Sequence, residues 1–132
     1  MKSFFLGADV SKGYADFVVL DEQKQTVVEN FQLDDTSDGH EHLFQVLSRL
    51  LARHPQSTVF TAVESTGGYE NNWVQSLRRF QQKLNIAVTR LNPLGVMHNS
   101  KADLKRNTTD KISARSIAEY LIAHPEKVSY QQ

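Results

Sequence analysis

The run Phe4-Phe5-Leu6-Gly7-Ala8-Asp9-Val10-Ser11-Lys12 constrains this chain more than any other stretch, because it is apolar and ends in a carboxylate. β-compatible residues bounded by a polar turn predict a buried strand. On a two-residue period, Asp9 shares a face with Gly7 and Phe5, while Phe4, Leu6, Ala8 and Val10 face the other way. An acid near the end of a central strand is costly to bury unless a cation or a base stands beside it. Two roles are open to Asp9 from this stretch alone. It is a site carboxylate, or it caps the turn through Ser11, Lys12 and Gly13.

A length of 132 residues suits one domain with a real core, so a single domain over 1–132 is expected. Basic and acidic residues balance at 15 each. The zero formal charge excludes a nucleic-acid grip built on net charge, although local clusters remain available. The absence of cysteine excludes disulfide scaffolds and thiolate metal sites. No apolar run approaches the ~18 residues of a membrane span, and the N-terminus lacks a signal-peptide pattern. The expectation is a cytoplasmic domain with no membrane partner.

Along the chain, Gly13 to Leu20 predicts a second strand, Asp21-Glu22-Gln23-Lys24 a hairpin turn, and Gln25 to Leu33 a third strand. Asp34 to Gly39 is a capping loop. Leu43, Val46, Leu47, Leu50 and Leu51 then recur at helical spacing, up to His54-Pro55. His40, His42 and His54 form no recognisable ligand set and read as solvated helix residues. Thr58 to Glu64 is a fourth strand, again an apolar run ending in a carboxylate. After Ser65-Thr66-Gly67-Gly68 a second helix is expected from about Tyr69 to Lys83, with Trp73, Leu77 and Phe80 as its stripe. Ile86 to Leu91 is a fifth strand. A connection through Pro93 and Gly95 carries the basic residues Lys101, Lys105 and Arg106. The last helix is expected to start near Thr109-Asp110 and to end before Pro125.

The order β-β-β-α-β-α-β-α, a meander followed by strand–helix units, is that of an α/β protein with a mixed five-stranded sheet of the ribonuclease H-like fold. In that arrangement the fourth strand lies parallel to the first, about 4.8 Å away. Asp9 and Glu64 would then stand side by side, and open sheets bind ligands beyond such strand ends. Two carboxylates that close repel unless a cation sits between them. Mg²⁺ suits the position, since it takes one or two carboxylates together with waters and phosphate oxygens. Asp110 adds a third acid, equally at home as a favourable charge in a helix's first turn. Gly67-Gly68 allows a sharp turn into a helix N-terminus that favours an anion, or is an ordinary connection. The segment around Lys101, Lys105 and Arg106 either contacts nucleic-acid backbone or is a solvated loop. Trp73 and Tyr69 are candidates for stacking on bases, with a core role the simpler reading for Trp73.

Four motifs are in register with one family: Gly7-Ala8-Asp9-Val10-Ser11-Lys12, Val63-Glu64-Ser65-Thr66-Gly67-Gly68-Tyr69, Leu91-Asn92-Pro93, and Thr109 to Ala118. The chain resembles the N-terminal domain of the DEDD insertion-sequence transposases, the group that includes the Piv-type DNA invertases. The resemblance implies a RuvC-like catalytic domain that binds Mg²⁺ (or Mn²⁺) and acts on DNA at insertion-sequence ends and targets. It also implies a guide RNA partner and a homo-oligomer in the full-length enzyme. A second domain, contributing a nucleophilic serine, is expected to be missing from this chain. By motif position Asp9, Glu64 and Asp110 are the first three acids. The fourth position departs, because Ser113 stands where the family pattern has Asp. Residues three apart share a helix face, so Ser113 is expected to point with Asp110, and its neutral hydroxyl implies weaker metal binding. Lys12, Lys101, Lys105 and Arg106 are the expected nucleic-acid contacts.

Two other classes compete. An actin-like or sugar-kinase-like ATP-binding half also begins with a meander and an Asp, but it needs a second phosphate loop, which this sequence lacks. A catalytically silent module would use the same fold to hold nucleic acid or another protomer. Tight ATP binding distinguishes the first, and metal-independent RNA binding the second.

Overall fold

The computed structural model describes residues 2–64, 67–92 and 113–130. Five strands form one sheet: β1 (Ser3–Ser11), β2 (Tyr14–Asp21), β3 (Thr26–Asp34), β4 (Thr58–Glu64) and β5 (Ile86–Leu91), in the order β3-β2-β1-β4-β5. The meander is antiparallel, whereas β4 runs parallel to both β1 and β5. Such a mixed sheet, with helices on both faces, is the ribonuclease H-like arrangement expected from the element order.

Local chemistry explains the joints. The β1–β2 hairpin closes on Lys12 and Gly13, with Ser11 opposite Tyr14 and Gly13 at φ 88°. A left-handed turn residue of this kind favours glycine. At the other hairpin Asp21 Oδ1 accepts the amides of Gln23 and Gln25 at 2.8 and 3.0 Å, which leaves Lys24 at φ 66°. Strand β3 starts at Thr26 and lies at the sheet edge, largely exposed.

Helix α1 (Ser37–Arg53) begins where Thr36 accepts the Gly39 amide at 3.1 Å, an N-cap bond. Its buried residues Gly39, Leu43, Leu47 and Leu50 follow a helical period. Helix α2 (Asn71–Phe80) buries Trp73, Val74, Ser76 and Leu77. It is shorter than the expected span from Tyr69 to Lys83, because residues 81–83 continue as turns. These two helices cover the face of β1 that carries Phe4, Leu6, Ala8 and Val10. Trp73 is fully buried there, edge-on to Phe17, which corrects any base-stacking role for it.

His40 also departs from the solvated residue expected of it. Its ring stacks on Trp73 with centroids 4.0 Å apart. Nε2 meets Asp35 Oδ1 at 2.6 Å and Nδ1 meets the Ser76 hydroxyl. Asn72 and Arg79 join the same network through Asp35 and Ser76. A histidine in the first turn of α1 therefore ties the β3–α1 loop to α2.

Helix α3 (Ala114–Ala123) covers the opposite face, and a short 3-10 turn (Pro125–Lys127) follows it. A Cβ on Gly7 would lie 2.2 Å from the Ala114 carbonyl oxygen and 2.7 Å from the Ala118 nitrogen. Only glycine lets helix and strand backbones approach this closely. Around the contact, Ala114 and Ala118 pack on Val18 and Leu20, while Ile117 and Leu121 pack on Ala62 and Leu91. The helix expected from Thr109-Asp110 begins instead at Ala114, because Ser113 is extended (φ −89°, ψ 163°) and caps it. Asp110, Lys101, Lys105 and Arg106 lie outside the described residues, as do Ser65, Thr66, Pro93, Gly95 and Ile112.

Candidate functional site

Strand register builds the site. Gly7 pairs with Ala62 and Ala8 with Val63, so Asp9 and Glu64 come next on adjacent parallel strands. Alternation puts both on the α3 side of the sheet, with Phe5 and Gly7 preceding one, and Phe60 and Ala62 the other. Phe5 and Phe60 stack at 5.5 Å on the same face, with the Gly7–Ala62 pair between them and the acids. Asp9 is 7% exposed and Glu64 is 9% exposed. Both make interactions within the protein. The two acids singled out from sequence are thus brought together at the carboxyl end of the parallel strands.

A further carboxylate went unrecognised in the sequence. Asp16 is the direct partner of Asp9 across the β1–β2 ladder, on the same face. Its Oδ1 accepts amide hydrogens from Asn30 at 3.4 Å and Gln32 at 3.3 Å, both on β3. The signal was available: counting back from the two-residue turn at Lys12-Gly13 pairs residue 11 with 14 and 9 with 16. Three acids therefore follow one another across β2, β1 and β4. Like charges opposite one another in a sheet are unfavourable unless neighbouring groups compensate them, as Asn30 and Gln32 do for Asp16.

Oxygen donors alone, with two of them buried on neighbouring strands, fit a hard divalent cation that keeps several waters. Among the described residues, however, no group of three His, Asp or Glu side chains is close enough to hold an ion. Asp16 belongs to the row and not to a ligand triad. Ser113 is exposed, and its hydroxyl accepts the Ser116 amide at 3.1 Å while lying 3.0 Å from the Ser116 hydroxyl. Its extended backbone separates it from the helix face on which it was expected to stand with Asp110. Lys12 sits exposed at the tip of the hairpin that follows Asp9.

The family model of the IS110-type DEDD transposases matches residues 6–132. The chain belongs to that transposase family. Among solved structures, T. thermophilus RuvC in complex with a Holliday junction substrate is similar with a TM-score of 0.66. The two share 11% identity over 98% of this chain and 99% of that one, a likeness of fold. A fowlpox virus Holliday junction resolvase aligns at a TM-score of 0.47 and 12% identity, over 94% of this chain and 99% of that one. No curated protein matches the chain. Among the described residues, no helix of this transposase-family chain is long and apolar enough to cross a membrane, which says nothing of strands.

Proposed function

We propose that this chain is the catalytic domain of a DNA transposase, cutting and rejoining strands as an insertion sequence moves. The observation that carries the reading is the burial of Asp9 and Glu64 side by side at the carboxyl end of β1 and β4. Mg²⁺ or Mn²⁺ held there by Asp9 and Glu64, with Asp110 and Ser113 as the remaining family positions, would supply charge neutralisation for phosphoryl transfer. The chain's own contribution is positional. The pleat aims both carboxylates to one side of the sheet. Lys12 at the hairpin tip would meet a backbone phosphate, and Lys101, Lys105 and Arg106 would extend that contact. Tyr69, 49% exposed just after the glycine turn, is the aromatic left to stack on a base. The DNA partner accords with the Holliday junction bound by the RuvC relative. A guide RNA, a homo-oligomeric full-length enzyme and a cytoplasmic setting complete the proposal.

Ser113 favours a second reading. Its hydroxyl is engaged as the cap of α3, so the site has one acid fewer than the family pattern. A catalytically silent nucleic-acid-binding or oligomerisation module would tolerate that change. A nicking assay on branched and duplex DNA with Mg²⁺ or Mn²⁺ decides between them. Metal-dependent cleavage that falls about 10³-fold or more in Asp9→Ala and Glu64→Gln supports the catalytic reading. DNA or RNA binding without cleavage, unaffected by both substitutions, supports the silent module.

A further inference from the structure

We infer that Glu70 and Arg90 form a positioning pair that ties the start of α2 to the strand pairing with Glu64, and so holds the Glu64 carboxylate in place. The inference rests on the metal reading above for its consequence, though not for its geometry. Glu70 is 3% exposed at the start of α2. Its carboxylate makes no capping bond to the helix. One oxygen, Oε1, turns back to accept the Gly68 amide at 3.0 Å. The other, Oε2, accepts from Arg90 Nη1 at 3.0 Å, and that same nitrogen donates to Asn71 Oδ1 at 3.1 Å.

Arg90 precedes Leu91, the register partner of Glu64 on β5, and itself pairs with Val63. Gly68 and the start of α2 are thereby tied to the strand that pairs with Glu64. The tie has something to restrain. Gly67 and Gly68 lie at φ 75° and 115°; a Cβ at Gly67 would meet nothing within 4 Å, and one at Gly68 only the Asn71 side-chain nitrogen at 3.9 Å. Paired glycines in open space are entropically expensive to order. Left untied, Gly68 and the start of α2 would be free to move relative to the strand that pairs with Glu64, the last residue of β4. A buried carboxylate is a costly way to stabilise a fold, and it is better accounted for as a hinge pin between turn and strand.

The test uses the full chain with Glu70→Ala, Glu70→Gln and Arg90→Lys, read by hydrogen exchange at the Gly68 amide and by Mn²⁺ titration calorimetry. Loss of a residue that orients a metal ligand weakens metal binding by roughly 10–100-fold. That loss is expected in Glu70→Ala, together with faster Gly68 exchange. Glu70→Gln keeps an acceptor for Gly68 and should recover part of both. If Glu70→Ala is misfolded by circular dichroism, Glu70→Gln and Arg90→Lys carry the test. A folded variant with wild-type Gly68 exchange, or with faster exchange and an unchanged Mn²⁺ isotherm, overturns the inference. Wild-type protein that binds no Mn²⁺ counts against the proposed function instead. The pair is then judged by the Glu64 carboxylate ¹³C shift, which must move in Glu70→Ala if the pair positions it.

Discussion

The two faces of the sheet handle polar groups in opposite ways. Under α1 and α2, the polar side chains satisfy one another: Asp35, His40, Ser76, Asn72 and Arg79 form a connected network beside Trp73. Under α3, the sheet aligns Asp16, Asp9 and Glu64 on neighbouring strands, carboxylate beside carboxylate, with Asp9 and Glu64 each engaged in interactions within the protein. The first arrangement is what a protein builds for stability, with the buried polar side chains paired apart from Trp73 Nε1. The second, a row of acids on adjacent strands, is the kind of departure from local rules that sites of chemistry retain. The difference also shows in the packing. One face is filled by large side chains such as Trp73, Phe17 and Leu43, whereas the other brings α3 onto the backbone at Gly7.

Substitutions that strike one face and spare the other would sharpen this contrast. The largest expected loss of stability is Trp73→Ala, about 3–5 kcal/mol from the cavity left among Phe17, His40 and Leu77. Chemical denaturation should register the loss while the remaining folded protein binds Mn²⁺ as before. Part of the cost is offset because Trp73 Nε1 is buried without a hydrogen-bond partner among the described residues.

Gly7→Ala should cost about 1–3 kcal/mol by overpacking, since the new methyl meets helix backbone and not a flexible side chain. Here both observables move. The melting temperature falls, and lifting α3 away disturbs the face that carries the acids. Unchanged Mn²⁺ binding in Gly7→Ala would break the link between α3 and the site.

Ser113→Ala removes an N-cap and should lower stability by about 1 kcal/mol. Ser113→Asp keeps a capping oxygen, so its stability should match wild type within about 0.5 kcal/mol while the added charge tightens Mn²⁺ binding. The smallest effect concerns Tyr130, which packs on Phe60 at 5.1 Å and whose hydroxyl burial raises to a pKa of about 12. Because the folded-state value lies above the unfolded one, the protonated form favours the folded state. Stability is full below pH 10 and declines as the pH rises towards 12. Tyrosinate absorbance should show one late-titrating tyrosine, and Phe60→Ala should bring it back towards its ordinary value.

Much of the architecture was legible because strand alternation and helical periodicity are local signals. Thr58 to Glu64 and Ile86 to Leu91 coincide with the observed strands, and the fourth strand does lie parallel to the first. Pairing partners were harder to see. Asp16 escaped notice because it gains meaning only opposite Asp9, a fact of register and not of composition. His40 escaped for a similar reason, since its partners Ser76 and Trp73 are more than thirty residues away. Ser113 carried two signals, a family position and a good helix cap, and the capping role decides where α3 begins. Glu70 fell within the helix expected from about Tyr69, and its tie to Arg90, twenty residues away, is a contact that local pattern does not show.

Calorimetric titration with Mn²⁺ of wild type, Asp9→Ala and Trp73→Ala tests most directly whether the acid-bearing face is a metal site. Saturable binding in wild type and in folded Trp73→Ala, lost in Asp9→Ala, is the expected result. Binding that survives Asp9→Ala would place the cation elsewhere and contradict the assignment of chemistry to the α3 face.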